Sequence, residues 1–150
     1  VSQFKIHVPS IVLREVSHYK DEKGQNVPID LQAVVKQGNI SEITASAKEI
    51  QILRERVSPD FMDRIDDGEQ EALALFQSGK YNDYRFCTGD TRAIKALASL
   101  NLGAFGVSLE ELLDEIKQSK KLPDKSYSKD AFNLKKAQGL QEQDSFLRKK

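Results

Sequence analysis

Short segments that alternate apolar and polar residues recur along this chain. Between them run segments whose apolar residues return every three or four positions. This switching between two periods constrains the fold more than any other feature. A strand–helix–strand series closes most simply as a parallel sheet with helices packed on its faces. Phe4-Lys5-Ile6-His7-Val8 reads as the first strand, punctuated by Pro9-Ser10, and Ile11, Val12, Glu15, Val16 and Tyr19 predict a helix from Ser10 to Tyr19. Asp21 to Pro28 reads as a polar loop. Asp30 caps a predicted helix through Val35 with Gly38 at its stop, and Ile40-Ser41-Glu42-Ile43-Thr44 alternates as a second strand. Ile50, Leu53 and Val57 mark a helix ended by Ser58-Pro59, and Asp66-Asp67-Gly68-Glu69 opens another that closes at Ser78-Gly79. Tyr84 to Thr88 is the third predicted strand and Ala104 to Val107 the fourth. They flank a helix carrying Ala93, Ile94, Leu97 and Leu100. Ser108-Leu109-Glu110-Glu111 has the form of a capping box, opening a helix expected to end near Ser119.

Composition narrows the function classes. With 150 residues the chain suits one domain, and its hydrophobic share of 39% supports a core. Basic and acidic residues number 23 each, so attraction to a polyanion or an anionic membrane has to be local. No apolar run is long enough to span a bilayer, and Val1-Ser2-Gln3-Phe4-Lys5 does not read as a signal peptide. Cys87 is the one cysteine, which leaves no internal disulfide and makes a reducing cytoplasm the expected location. From Lys120 onward nine basic residues face four acidic ones. The chain therefore divides into an α/β region over 1–120 and a basic tail over 121–150. In that tail Ala131, Leu134 and Ala137 predict one amphipathic helix.

Sites on parallel sheets lie at the carboxyl ends of strands. Acidic residues fall near such ends in three places: Glu15, the pair Glu69 and Glu71, and Asp90 directly after the third strand. Carboxylates gathered there suit a hard divalent cation, which takes oxygen ligands and keeps several waters. Each has a plainer explanation when taken alone. Glu15 fits a solvated helix face, Glu69 and Glu71 fit a first turn complementing the helix dipole, and Asp90 fits an N-cap. Cys87, Phe86, Leu97 and Phe105 read as core, and His7 as a strand surface residue.

The ordered set is more specific than its parts. Ile6-His7-Val8-Pro9-Ser10-Ile11-Val12-Leu13-Arg14-Glu15-Val16 resembles the second acidic motif of the PIN domain. Gly68-Glu69-Gln70-Glu71-Ala72-Leu73 is similar to the Gly-Glu-x-Glu-Ala form of the third motif, and Phe86-Cys87-Thr88-Gly89-Asp90-Thr91-Arg92-Ala93 resembles the fourth. The resemblance covers residues 4 to 115 and implies a three-layer α/β/α sandwich with a mainly parallel sheet. It further implies an endoribonuclease dependent on Mg²⁺ or Mn²⁺, with RNA as substrate. Many small members are toxins of toxin–antitoxin modules, which makes an antitoxin protein and a homodimer the expected partners. By motif position Glu15, Glu71 and Asp90 are the metal-site carboxylates and Thr88 a supporting hydroxyl, with Glu69 the less favoured choice in its motif.

The family's first motif, an aspartate ending an N-terminal strand, has no counterpart here. The expectation is that the natural chain extends upstream of Val1, or that this is an inactive PIN-like module binding RNA or protein. Thr88-Gly89-Asp90 is also similar to a segment of haloacid-dehalogenase-like phosphatases. That reading lacks the Asp-x-Asp nucleophile pair such enzymes carry on an early strand.

Overall fold

A computed structural model describes residues 4–118 and 121–149. It is a mixed α/β fold with small sheets. Strand β1 (Ile6–Pro9) pairs in parallel with β4 (Ile40–Ile43), Ile6 opposite Ile40 and Pro9 opposite Ile43. Strand β5 (Phe86–Cys87) pairs in parallel with β6 (Gly106–Val107). Among the described residues each of these sheets has only two strands, so β1 and β5 each keep one edge without a ladder.

The first helix is shorter than its apolar spacing predicts. Helix α1 (Ser10–Glu15) stops at Val16, and β2 (His18–Lys20) turns back antiparallel on β3 (Asn26–Pro28). The Asp21 side chain accepts from the Lys23 and Gln25 amides, both at 2.9 Å, while Gly24 takes a φ of 75°. A short polar side chain that captures nearby amides offers the backbone an alternative to helix, and the predicted loop becomes a hairpin.

Beyond the hairpin the caps do what their residue types dictate. Asp30 accepts from the Ala33 amide at the start of α2 (Leu31–Lys36), and Ser46 accepts from Glu49 at the start of α3 (Ala47–Arg56). Pro59 then begins α4 (Pro59–Met62), a short helix where only a stop was expected. Next come α5 (Asp67–Gln77) and α6 (Thr91–Ser99). Helix α7 (Leu109–Glu115) carries the predicted capping box with both reciprocal hydrogen bonds, and ends at Ile116 before Lys117 takes a φ of 55°. Ser119, where the sequence places that end, lies outside the described residues. The strand expected over Ala104–Val107 shrinks to β6, because Gly103–Phe105 winds into a 3₁₀ turn.

Residues after 120 are built into the core. Helix α8 (Lys129–Gln141) lies along α6, and α9 (Gln143–Phe146) follows it. The crossing is close: a Cβ on Gly139 would stand 2.5 Å from the Lys95 carbonyl oxygen. Ser99 donates to the Gly139 carbonyl at 2.7 Å, and Gln143 donates to the Ser99 carbonyl at 2.7 Å. Phe132 and Phe146 are buried, the latter among Leu53, Val57, Met62, Leu73 and Leu97. The face that packs is therefore not the predicted Ala131–Leu134–Ala137 stripe, and Leu134 is 61% exposed. Cys87, expected in the core, is exposed. Among the described residues no helix is long and apolar enough to cross a membrane.

Candidate functional site

Helix α5 carries both candidate glutamates, and its geometry separates them. Residues two apart on a helix point about 200° apart, so Glu69 and Glu71 cannot serve one site from one face. Glu71 turns inward and is 4% exposed. Its carboxylate accepts from the Ile11 amide at 3.3 Å and from the Ala45 amide at 3.0 Å. It thus ties the turn from β1 into α1 to the turn from β4 into α3. Gly68 makes this approach possible, since a Cβ there would stand 2.6 Å from Val12 Cγ2.

Glu69 faces the loop after β5. The Thr88 hydroxyl donates to its Oε1 at 3.0 Å and accepts from the Asp90 amide at 3.1 Å. Asp90 caps α6, its Oδ1 accepting from the Arg92 amide at 2.7 Å and the Ala93 amide at 2.9 Å. The second oxygen of Glu69, Oε2, is buried with no hydrogen-bond partner. Burial is the main reason its carboxyl is pushed up to about 7. The negative charges of Asp90 and Asp66 add to the shift, against the Thr88 hydrogen bond and the Arg92 charge. Arg92 is held by the Arg64 carbonyl at 2.9 Å.

The four sequence-predicted residues therefore divide. Thr88 and Asp90 meet at one loop, joined there by Glu69 rather than Glu71. Glu71 is spent on backbone amides, and Glu15 is exposed at the last position of α1. Among the described residues no three His, Cys, Asp or Glu side chains gather as a ready metal-binding group. The residues present fit a hydrated divalent cation in a narrower form. Glu69 and Asp90 offer two carboxylates, which is as many direct protein ligands as Mg²⁺ usually takes. A cation beside them would meet the orphaned Oε2 and relieve the mutual repulsion.

Gly89, between Thr88 and Asp90, is covered by the C-terminal segment through Tyr127 and Lys135. Nothing in the local sequence pattern marks those two residues. Glu71 sits within the run that the fold buries from Gln70 to Phe76, whereas Glu69 precedes that run. His7, expected as a strand surface residue, instead packs edge-on against Tyr84, with ring centroids 4.6 Å apart, and its Nδ1 is buried without a partner.

No protein-family model, curated protein or solved structure matches this chain.

Proposed function

We propose that this chain is the metal-binding part of a PIN-like endoribonuclease, with Glu69 and Asp90 as the carboxylates that hold Mg²⁺ or Mn²⁺. The observation that carries the reading is the buried, unpartnered Oε2 of Glu69 beside the Asp90 carboxylate. Such a pair is costly to leave uncompensated and is suited to a cation. A bound Mg²⁺ or Mn²⁺ supplies an activated water and a brace for the phosphodiester. Thr88 orients Glu69 through its hydroxyl, and the α6 N-terminus fixes Asp90 through its Oδ1, leaving Oδ2 for the ion. Glu71 acts as a positioning residue by fixing α5 against the two turns it binds.

The reading includes a three-layer α/β/α sandwich. Its support is the pair of parallel two-stranded sheets, each with an unpaired edge strand, both leaning on α5. A further parallel strand between β1 and β5 would join them into one sheet and bring an aspartate to the same end. RNA cleavage in Mn²⁺ tests this on the 150-residue chain and on a longer chain with such a strand before Val1. The longer chain is expected to cleave, and Glu69→Gln or Asp90→Asn in it to lower turnover by roughly a hundredfold. Undiminished cleavage by both variants would overturn the assignment.

A further inference from the structure

We infer that Tyr127 and Lys135 form the nucleotide-holding wall beside the Glu69–Asp90 pair, with the ring taking a base and the ammonium a phosphate of a single-stranded polynucleotide. This rests on the nuclease reading above and adds how its substrate is held. A Cβ on Gly89 would stand 2.4 Å from Tyr127 Cε1 and 2.9 Å from Cζ, so the ring lies directly against the Gly89 backbone. Gly89 is the residue between Thr88 and Asp90, which puts the ring next to the carboxylates. Lys135 Nζ donates long hydrogen bonds, both 3.4 Å, to the Gly89 and Ser126 carbonyls. An ammonium has three N–H groups, so one remains for a phosphate oxygen.

Lys135 forms no ion pair with a carboxylate among the described residues. The nearby Asp124 carboxyl is held below its ordinary value mainly by the Ser126 hydroxyl and amide, with the Lys135 charge adding to the shift from beyond ion-pair distance. Both Tyr127 and Lys135 are partly exposed. In a chain whose net charge is zero, Lys135 on the Gly89 carbonyl and Arg92 beside Glu69 are the cations at this loop, and they supply the local attraction that a polyanion needs. A flat ring accepts any base with a free face, which an unpaired strand presents and a duplex covers.

The test is fluorescence anisotropy with a short labelled single-stranded RNA in EDTA, where no cleavage intervenes, on the 150-residue chain. A melt is recorded for every variant. DNA of the same sequence and the matching RNA duplex are run in parallel. Tyr127→Ala is expected to weaken single-strand binding about tenfold and Tyr127→Phe to leave it unchanged. Lys135→Met should weaken binding and lower the salt-dependence slope by about one unit, with Lys135→Arg restoring it; a purely structural lysine would not move that slope. Both single strands should respond alike, and the duplex should bind more weakly. If Tyr127→Ala fails to fold, Tyr127→Leu keeps the apolar contact with Gly89 without a ring, and the same loss of affinity is expected. Folded variants with wild-type affinity and slope, or no binding by the wild type, overturn the proposal. Cleavage that persists with those variants unchanged would sink it and leave the nuclease standing. Variant-sensitive binding in a longer chain that never cleaves would sink the nuclease alone.

Discussion

At the scale of single residues, two glutamates two positions apart have opposite roles because a helix points them apart. Burial and repulsion push Glu69 up to about 7 from an ordinary value of 4.5. Between those values the folded chain binds more protons than the unfolded one, so stability falls as pH rises through that window and then levels off. The group is only half buried, so solvent screening reduces the loss to about 1–2 kcal/mol. In EDTA, thermal melts from about pH 5 to about pH 8 should fall for the wild type and stay flatter for Glu69→Gln, which keeps an acceptor for Thr88 and carries no charge. Parallel curves for the two proteins would remove Glu69 as the source of the strain. For Glu71 the readout is the backbone it holds. Glu71→Ala strands the Ile11 and Ala45 amides and should cost about 2–4 kcal/mol in urea denaturation, with no change in Mn²⁺ affinity for the folded fraction. That Thr88 and Asp90 share one loop before a helix was legible in the sequence. Motif position favoured Glu71, whereas the fold brings Glu69 to that loop and buries Glu71 against the Ile11 and Ala45 amides.

At the scale of elements, the caps were readable because they are local chemistry. Asp30, Asp90 and Ser108, each expected as a cap, accept amides within three residues, and no distant contact is needed to find them; Ser46, which the apolar spacing alone did not mark, does the same. The β2–β3 hairpin was not readable from spacing, since its cause is one aspartate and one glycine placed to turn the chain rather than any apolar rhythm. Helix α8 shows a further limit. Apolar counting selected Ala131, Leu134 and Ala137, but the packed face is set by Gly139, which a hydropathy pattern treats as neutral. Its missing side chain lets α8 settle on the Lys95 backbone, carrying Phe132 against Gly106 and Leu97. Gly139→Ala therefore pushes two backbones apart rather than displacing a flexible side chain. It is expected to destabilise the chain by about 1–3 kcal/mol in urea denaturation, whereas Leu134→Ala on the exposed face should change it by less than about 0.5 kcal/mol. Equal effects from the two would mean that α8 is not held by this crossing.

At the scale of the whole molecule, the two parallel pairs are joined through α5 and an aromatic cluster rather than by a common ladder. Phe76 on α5 lies 5.7 Å from Phe86, and His7 on β1 packs on Tyr84 just before β5. Parallel strands are normally buried in larger sheets, so pairs of two and four residues per strand with open edges are weakly held. This makes a prediction that does not depend on catalysis. In the 150-residue chain, the amides of β1 and β5 that point away from β4 and β6 should exchange with solvent far faster than those of α6, which lie in the core. In a longer chain that supplies a parallel strand between them, the same amides acquire carbonyl partners and should slow by orders of magnitude, while α6 changes little. Hydrogen exchange followed by NMR on both chains reads this amide by amide. If the edge amides exchange equally in both, no strand enters between β1 and β5, and the single-sheet architecture fails whatever the nuclease assay shows. If they slow but Asp90→Asn leaves RNA cleavage intact, the sheet stands and the carboxylate assignment fails. Asn caps a helix as well as Asp does, so a folding defect is not expected to blur that second outcome.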